Sequence, residues 1–203
     1  MYQSKVKSVT SIEKYFPITW QIGARCNYDC MYCPEEYHND TDSSHSLEVL
    51  QNAWRKFYQQ AKSTNLKFKI TITGGEPTVN KNLIPFLQWL AEEYADHLYK
   101  VIITSNGSAS YNYYYRLFNY CDSISLSTHS EHINEDSFFE TVIKLSKTIS
   151  DKKFLHVNIM NEYWNTENIE NWKELFTKEK ISYSINEIYF DAGTRDYPIF
   201  KNK

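Results

Sequence analysis

The amino-acid sequence predicts an α/β fold built around a parallel β-sheet. Along the 203-residue chain, six short segments rich in β-branched and aromatic residues alternate with five amphipathic segments of helical period. Such alternation requires right-handed crossovers between parallel strands, with helices packed on one or both faces of the sheet. The pattern alone leaves open whether the sheet is doubly wound or curves into a partial barrel.

The first two predicted strands each end in an unusual loop. A strand over residues 16–23 leads directly into three closely spaced cysteines, and a strand over residues 67–73 leads into Gly-Gly-Glu-Pro. The helix between them is predicted over residues 47–61, with Ser46 as its N-cap. Its apolar face carries Leu47, Leu50, Trp54, Phe57 and Ala61.

The remaining elements continue the alternation up to the sixth strand. Helices are predicted over residues 82–95, 111–119 and 135–148, and a fifth helix begins at Asn165 or Thr166. The predicted strands are 99–104, 122–128, 154–160 and 181–190. We therefore expect one domain, with residues 1–15 as an N-terminal extension, 16–190 as the core and 191–203 as a short tail.

Composition and charge are those of a soluble domain. Hydrophobic residues make up 41% of the chain and charged residues 23%, and the formal net charge of -3 gives no basic field. Nucleic-acid binding is therefore not expected. The N-terminus carries no apolar segment of a signal peptide, and no stretch approaches the ~18 apolar residues of a membrane span. We expect a cytoplasmic protein without a membrane anchor.

Three of the four cysteines follow the first predicted strand within eight residues: Cys26, Cys30 and Cys33. This clustering is a poor disulfide framework and instead indicates a metal or cluster site. Three thiolates in a short loop can hold three corners of an iron–sulfur cubane, which leaves one iron without a protein ligand. A closed zinc site would need a fourth ligand, which His38 or His45 would supply.

Unusual residues also follow the other predicted strands at the same end. Gly74-Gly75-Glu76-Pro77 follows the second strand, Thr104 to Gly107 follows the third, and Ser125 to His129 ends the fourth. The carboxyl ends of parallel strands meet at one edge, where α/β proteins bind their ligands. We expect these loops and the three cysteines to form one site. Cys121 begins the fourth strand at the opposite end and is interpreted as a small buried hydrophobe.

The run Arg-Cys-Asn-Tyr-Asp-Cys-Met-Tyr-Cys-Pro-Glu resembles the cluster motif of the radical S-adenosylmethionine (radical SAM) superfamily. The cysteines have the spacing C-x3-C-x2-C, with an aromatic residue, Tyr32, directly before the last one. GGEP after the second strand and a serine in the fourth strand match as well, so the resemblance covers residues 18–190. It implies a parallel (β/α)6 partial TIM barrel.

The resemblance implies two cofactors. In that superfamily three cysteines bind three irons of a 4Fe-4S cluster, and the amine and carboxylate of S-adenosyl-L-methionine (SAM) chelate the fourth iron. The metal ligands would be Cys26, Cys30 and Cys33. Because no cysteine follows Cys121, the chain should hold a single cluster.

The same resemblance suggests residues that contact SAM. Glu76 would receive the methionyl ammonium, while Gly74 and Gly75 let the backbone approach the methionyl group and Pro77 stiffens the turn. Ser125 would bind the methionyl carboxylate or ribose. The further candidates are Tyr32, Ser105, Asn106, Ser127, Asn158 and Met160. For the strand residues the alternative is an ordinary inward-facing polar or core side chain, and His129, Glu131 and His132 are interpreted as a solvated entry to a helix.

The expected function is reductive cleavage of SAM to a 5'-deoxyadenosyl radical that abstracts a substrate hydrogen. With no C-terminal extension, one side of the partial barrel would stay open, which favours peptide or protein modification or a partner subunit that closes it. A small-molecule substrate and activation of a partner enzyme remain open, and a flavodoxin or ferredoxin would supply the electron. The alternative from another class is a zinc-stabilised binding module without catalysis.

Overall fold

A computed structural model of the chain describes residues 14–34, 45–162 and 165–188. His38, nearly all of the predicted N-terminal extension and the predicted tail lie outside the described residues. The strands are β1 (Tyr15–Gln21), β2 (Lys67–Thr73), β3 (Leu98–Ser105), β4 (Ser123–Thr128), β5 (Phe154–Asn161) and β6 (Ser182–Glu187). The helices are α1 (Leu47–Ala61), α2 (Leu83–Tyr94), α3 (Tyr111–Leu117), α4 (Glu135–Thr148) and α5 (Thr166–Lys178).

The six strands form one parallel sheet in the order of the sequence, β1-β2-β3-β4-β5-β6. Because each crossover leads to the next strand with the same hand, all helices cover one face of the sheet. The sheet is open, and its helix-free face forms the inside of a partial barrel. The predicted (β/α)6 partial barrel is therefore confirmed, and the doubly wound alternative is wrong.

The side chains that face the helices form the core. In β2, the three residues Phe68, Ile70 and Ile72 are buried on this face. Under β1 and β2 the core is aromatic: Trp54 of α1 meets Phe68 edge-on at a centroid distance of 5.7 Å and stacks on Trp20 at 6.2 Å. The apolar side chains of α1 therefore pack into the core, as the sequence predicts.

Helix starts and strand boundaries agree closely with the prediction. Ser46 caps α1 by accepting a hydrogen bond from the backbone N–H of Val49, and Asn134 caps α4 through Ser137. Asn165 precedes α5 but makes no side-chain cap bond. The described part of the sixth strand ends at Glu187, and the last two residues predicted for it lie outside the described residues. In the part of the chain that the structure describes, no helix is long and apolar enough to cross a membrane.

The helix-free face of the sheet, which we call the concave face, is mostly polar. On β4 the buried Ile124 and Leu126 face the helices, so Ser123, Ser125 and Ser127 lie on the concave face. On β5 the same alternation places His156 and Asn158 there. A polar surface inside a partial barrel can bind a ligand, because its hydrogen-bonding groups are not consumed by the core.

Candidate active site

The three clustered cysteines line a pocket at the carboxyl ends of the first four strands. The four loops that the sequence predicts to meet do meet there. The lining residues are Cys26, Tyr28, Cys30, Tyr32, Cys33, Thr73, Gly74, Gly75, Glu76, Thr104, Ser105, Asn106, Ser127 and His129. The pocket therefore includes the predicted metal ligands and seven of the eleven predicted cofactor contacts.

Backbone hydrogen bonds join the cysteine loop to the GGEP turn. Beyond the paired strands, the backbone N–H of Gly75 donates to the carbonyl of Gly23 at 2.9 Å, and that of Glu76 donates to the carbonyl of Arg25 at 2.8 Å. The pairing of β1 with β2 thus continues into the two loops. These main-chain hydrogen bonds fix the start of the cysteine loop without a contribution from a ligand.

The two glycines of this turn are required by the cysteine loop. A Cβ on Gly74 would lie 2.4 Å from the carbonyl oxygen of Gly23, and a Cβ on Gly75 would lie 2.4 Å from the carbonyl oxygens of Ala24 and Arg25. Gly74 also has φ +150°, where side chains are strained. The sequence-based explanation, close approach to the methionyl group, is therefore incomplete, because the space beside both glycines is filled by protein.

Glu76 is buried and joins the GGEP turn to the loop after β3. It is 3% exposed. Its Oε1 accepts hydrogen bonds from the Thr78 backbone N–H at 2.9 Å, the Thr78 hydroxyl at 2.6 Å and the Ser105 hydroxyl at 2.8 Å. Its Oε2 accepts from the backbone N–H of Asn106 at 2.6 Å. Burial raises the pKa of Glu76, and these donors, which favour the carboxylate, oppose the shift.

Nitrogen donors face the sulfur of Cys26. The backbone N–H of Tyr28 donates to Cys26 Sγ at 3.4 Å, and Nδ2 of Asn106 lies 3.9 Å from the same sulfur. The Asn106 amide also donates to Asn27 Oδ1 at 3.0 Å. Such N–H···S contacts stabilise a thiolate and lower the electron density that it gives to a bound metal.

His129 is a pocket residue that the sequence interpretation placed wrongly in a solvated turn. Its Nδ1 lies 3.5 Å from Cys30 Sγ and contacts the Tyr32 hydroxyl, and its ring stacks on Tyr32 at 6.0 Å. Burial, with a smaller contribution from His132, lowers the pKa of His129 to about 4, so its imidazole is neutral. Its position directly after a strand that ends in the site was a signal that could have identified it.

Two glutamates hold the cysteine loop against the loops after β4 and β5. Oε2 of Glu131 accepts a hydrogen bond from the backbone N–H of Met31 at 3.1 Å. Glu162, which follows β5, accepts from the Ser130 backbone N–H at 3.1 Å and contacts the Ser130 hydroxyl. Burial raises the pKa of Glu162 to about 7. Neither glutamate was singled out from the sequence as a ligand or a support.

Cys26 and Cys30 are expected to be protonated thiols without metal and thiolates once a metal binds. Burial raises the pKa of Cys30 to about 12 and also raises the pKa of Cys26. Thiols of this kind lose their protons when a positive metal centre binds them. Among the described residues, no three His, Cys, Asp or Glu side chains converge closely enough to hold a single metal ion. The corners of a cubane are separate binding points, so its ligands must lie around one pocket, as these three cysteines do, and need not converge on one point.

The remaining predicted contacts lie beside the pocket. Asn158 Nδ2 donates to the Ser125 hydroxyl at 2.8 Å and to the Ser127 hydroxyl at 3.4 Å, which joins β4 to β5 on the concave face. The backbone N–H of Met160 donates to Thr128. Pro77 is buried and begins a short 3-10 helix. Of these strand residues, the structure places only Ser127 in the pocket lining.

Comparison with protein families gives a match over most of the described chain. The family model described as "Radical SAM superfamily" matches residues 20–178. A solved structure of BtrN in complex with AdoMet and 2-DOIA superposes with a TM-score of 0.51 and 17% sequence identity, and the superposition covers 70% of this chain and 56% of that chain. At that identity the similarity concerns the fold alone.

Two curated relatives match a shorter segment. The chain is 31% identical over 87 residues to 7-carboxy-7-deazaguanine synthase of Clostridium acetobutylicum, a stretch covering 43% of this chain and 36% of that protein. It is 38% identical over 86 residues to GTP 3',8-cyclase of Ectopseudomonas mendocina, covering 41% of this chain and 24% of that protein. The matched segment thus spans about a third or less of each relative's length.

The glycine contacts predict a specific defect. In Gly75→Ala the new methyl group would displace the carbonyls of Ala24 and Arg25, so we expect the free energy of unfolding to fall by ~1–3 kcal/mol, the range for overpacked sites. Iron bound after anaerobic reconstitution should fall with it, because the cysteine loop moves. Urea unfolding and iron analysis measure both quantities. Ser108→Ala, at an exposed position, is the control, and a Gly75→Ala variant equal to it would contradict the proposed contact.

The contacts of Glu76 predict the result of Glu76→Gln. Both carboxylate oxygens of Glu76 accept hydrogen bonds, but the amide of Gln has only one oxygen. Its NH2 group must therefore face a donor, either the Asn106 N–H or the donors of Thr78 and Ser105. We expect ~1–3 kcal/mol lower free energy of unfolding, the penalty for an unpaired buried donor. Urea unfolding is the measurement and Glu93→Gln, on the exposed face of α2, is the control. Equal stability of both variants would show that the carboxylate is not needed for these bonds.

Proposed function

The chain belongs to the radical SAM superfamily, and we propose that it binds one 4Fe-4S cluster through Cys26, Cys30 and Cys33 and cleaves SAM reductively there. The observation that carries this proposal is the shared pocket of the three cysteines and the GGEP turn. Cys121 is buried at the amino end of β4, the end of the sheet opposite to this pocket. It is therefore excluded from the proposed ligand set.

The cluster would supply the electron that breaks the sulfonium S–C5' bond of SAM, which yields methionine and a 5'-deoxyadenosyl radical. The part of the pocket residues would be to bind and orient SAM and to keep water away from the radical. Burial of Cys30 and the ring stack of Tyr32 on His129 support exclusion of water on one side of the pocket. An external donor such as a flavodoxin or ferredoxin would provide the electron.

The residues at the strand ends would orient SAM. Oε2 of Glu76 accepts a single protein donor, so it keeps an acceptor site for the methionyl ammonium. The Ser105 hydroxyl and the Asn106 backbone N–H donate hydrogen bonds to Glu76, so these two residues would act mainly by positioning its carboxylate. Ser127 lines the pocket next to the Asn158 amide, and both suit the ribose hydroxyls. Ser125 and Met160 would then act as neighbours of this pair, and Pro77 as a support of the turn.

The substrate would bind on the concave face, next to the SAM pocket. Peptide or protein modification was the first prediction from the sequence, and a partner subunit that closes the open side fits it. The two named relatives instead indicate small molecules, since one is a 7-carboxy-7-deazaguanine synthase and the other is a GTP 3',8-cyclase. We favour a small molecule, because the serines of β4 and Asn158 of β5 give the concave face hydrogen-bonding groups that suit a polar ligand.

Cysteine variants test the proposed cluster. Cys26→Ala, Cys30→Ala and Cys33→Ala should each abolish the brown colour and about four irons per chain, because three thiolates are the minimum that holds the cubane. Cys121→Ala is the matched control and should retain both, since that side chain is buried in the core. Iron and sulfide analysis after anaerobic reconstitution gives the readout. Stoichiometric zinc in place of iron would favour the non-catalytic zinc module.

Product analysis tests the proposed reaction. Wild-type protein and Cys121→Ala reduced with dithionite should convert SAM to 5'-deoxyadenosine and methionine, quantified by liquid chromatography and mass spectrometry. Cys30→Ala should form neither product above the level of reductant alone. An iron-loaded wild-type protein that forms no 5'-deoxyadenosine would contradict the proposed function while leaving the cluster assignment intact.

A further inference from the structure

The charges on the concave face are of one sign. By strand alternation, the residues that share this face are Tyr15, Pro17, Thr19 and Gln21 of β1; Lys67, Lys69, Thr71 and Thr73 of β2; Lys100, Ile102 and Thr104 of β3; Ser123, Ser125 and Ser127 of β4; Phe154, His156, Asn158 and Met160 of β5; and Ser182, Ser184 and Asn186 of β6. Within these described strands the face contains three lysines and no carboxylate. The whole chain, in contrast, has a net charge of -3.

Lys69 and Lys100 are adjacent on this face. The two residues are direct partners in the pairing of β2 with β3. Each ammonium group lies over an aromatic ring: Lys69 Nζ is 5.1 Å from the ring centroid of Tyr15, and Lys100 Nζ is 5.8 Å from that of Phe154. Among the described residues, the ion pairs within 4 Å involve neither lysine. Both remain half-exposed to the interior of the partial barrel.

Two like charges on neighbouring strands destabilise a sheet unless something balances them. No acidic side chain of the described strands shares their face. Asp122, directly before β4, accepts a hydrogen bond from the backbone N–H of Val101 at 2.7 Å, and Glu76 at the pocket accepts four hydrogen bonds from protein groups. An oxyanion on a bound ligand would offset the positive charge of these ammonium groups through charge-assisted hydrogen bonds.

Polar groups continue from the lysines toward the pocket. Lys69 lies four residues before Thr73, which lines the pocket, so their Cα atoms are about 13 Å apart along the strand. Across the sheet, His156 hydrogen-bonds through Nδ1 to Ser182 at 2.9 Å and through Nε2 to Ser184 at 3.0 Å. Burial lowers the pKa of His156, so its ring adds no further positive charge to this face at neutral pH.

We propose that Lys69 and Lys100 bind the acidic group, a carboxylate or phosphate, of a small organic anion that is the substrate. This inference rests on the proposed function, because it assumes that the hydrogen to be abstracted lies at the pocket end of the same molecule. The lysines would fix the far end of the substrate, about 13 Å along the sheet from the pocket, and the serines and Asn158 would contact its middle. They are positioning and specificity residues, remote from the reacting atoms.

Anion binding is measurable without turnover. We would titrate anaerobically reconstituted protein with inorganic phosphate and, separately, with malonate, at low ionic strength by calorimetry. We expect one site for at least one probe, and the preferred probe distinguishes a phosphate from a carboxylate substrate. Lys69→Gln and Lys100→Gln should each weaken binding about ten-fold or more, the loss expected for one charge-assisted hydrogen bond.

Matched variants separate this site from general surface charge. Lys144→Gln is the control, because Lys144 lies 4.2 Å from the Tyr111 ring on the helix side of the sheet and should leave affinity within about two-fold. Lys69→Arg and Lys100→Arg keep the charge and should keep most of the affinity. If thermal unfolding shows that a Gln variant is not folded, the Arg variant at the same position is the deciding test. Loss of anion binding in a folded Arg variant would overturn the inference.

The outcomes distinguish this inference from the proposed function. If wild-type protein forms 5'-deoxyadenosine but binds neither probe, or if the Gln variants bind as tightly as Lys144→Gln, the lysines are not an anion site. An acidic peptide that binds through the two lysines while both small probes fail would likewise overturn the small-anion assignment. If wild-type protein binds a probe in a lysine-dependent way but forms no 5'-deoxyadenosine, the proposed reaction fails and the anion site stands.

Discussion

The site depends on the backbone pairing between the cysteine loop and the GGEP turn. Two hydrogen bonds extend the β1–β2 ladder past the ends of both strands, and the glycine Cα atoms pack directly against the loop's carbonyls. Because of this contact, the start of the cysteine loop is an extension of the sheet. The hydrogen bonds and the close packing offset the conformational entropy that is lost when the loop is ordered. Cys26 follows that segment directly, so its position is set by this extension of the sheet.

A buried carboxylate connects this unit to the rest of the pocket. Glu76 accepts hydrogen bonds from Ser105, the last residue of β3, and from Asn106, and the Ser105 hydroxyl is in turn hydrogen-bonded to the buried hydroxyl of Tyr114 on α3. Asn106 then reaches back to Asn27 and Cys26. The chain of contacts begins and ends at the cysteine loop and passes through the core. Burial at this depth disfavours a charge on Glu76, and the four hydrogen bonds from protein donors oppose that effect by favouring the carboxylate.

Much of the fold could be predicted from the sequence, and less of the site. The run of β-branched residues predicted both ends of β2, and the helical period of apolar residues predicted both ends of α4, because these patterns indicate which residues are buried on one face. Sequence also identified the loops that meet, since parallel strands have one carboxyl edge. It could not assign the role of the glycines, because the atoms that exclude a Cβ belong to another loop. His129, Glu131 and Glu162 were missed for the same reason: their partners lie 32 to 100 residues away in the chain.

A 4Fe-4S cluster held by three cysteines, as proposed, would leave one iron for SAM itself. Electron–nuclear double resonance tests this directly, on dithionite-reduced protein mixed with SAM that carries 15N at its amine. Chelation through the amine predicts a 15N coupling to the cluster spin, together with a change in the cluster's EPR signal when SAM is added. A reduced cluster whose spectrum is unchanged by SAM and shows no 15N coupling would contradict an open iron at this site.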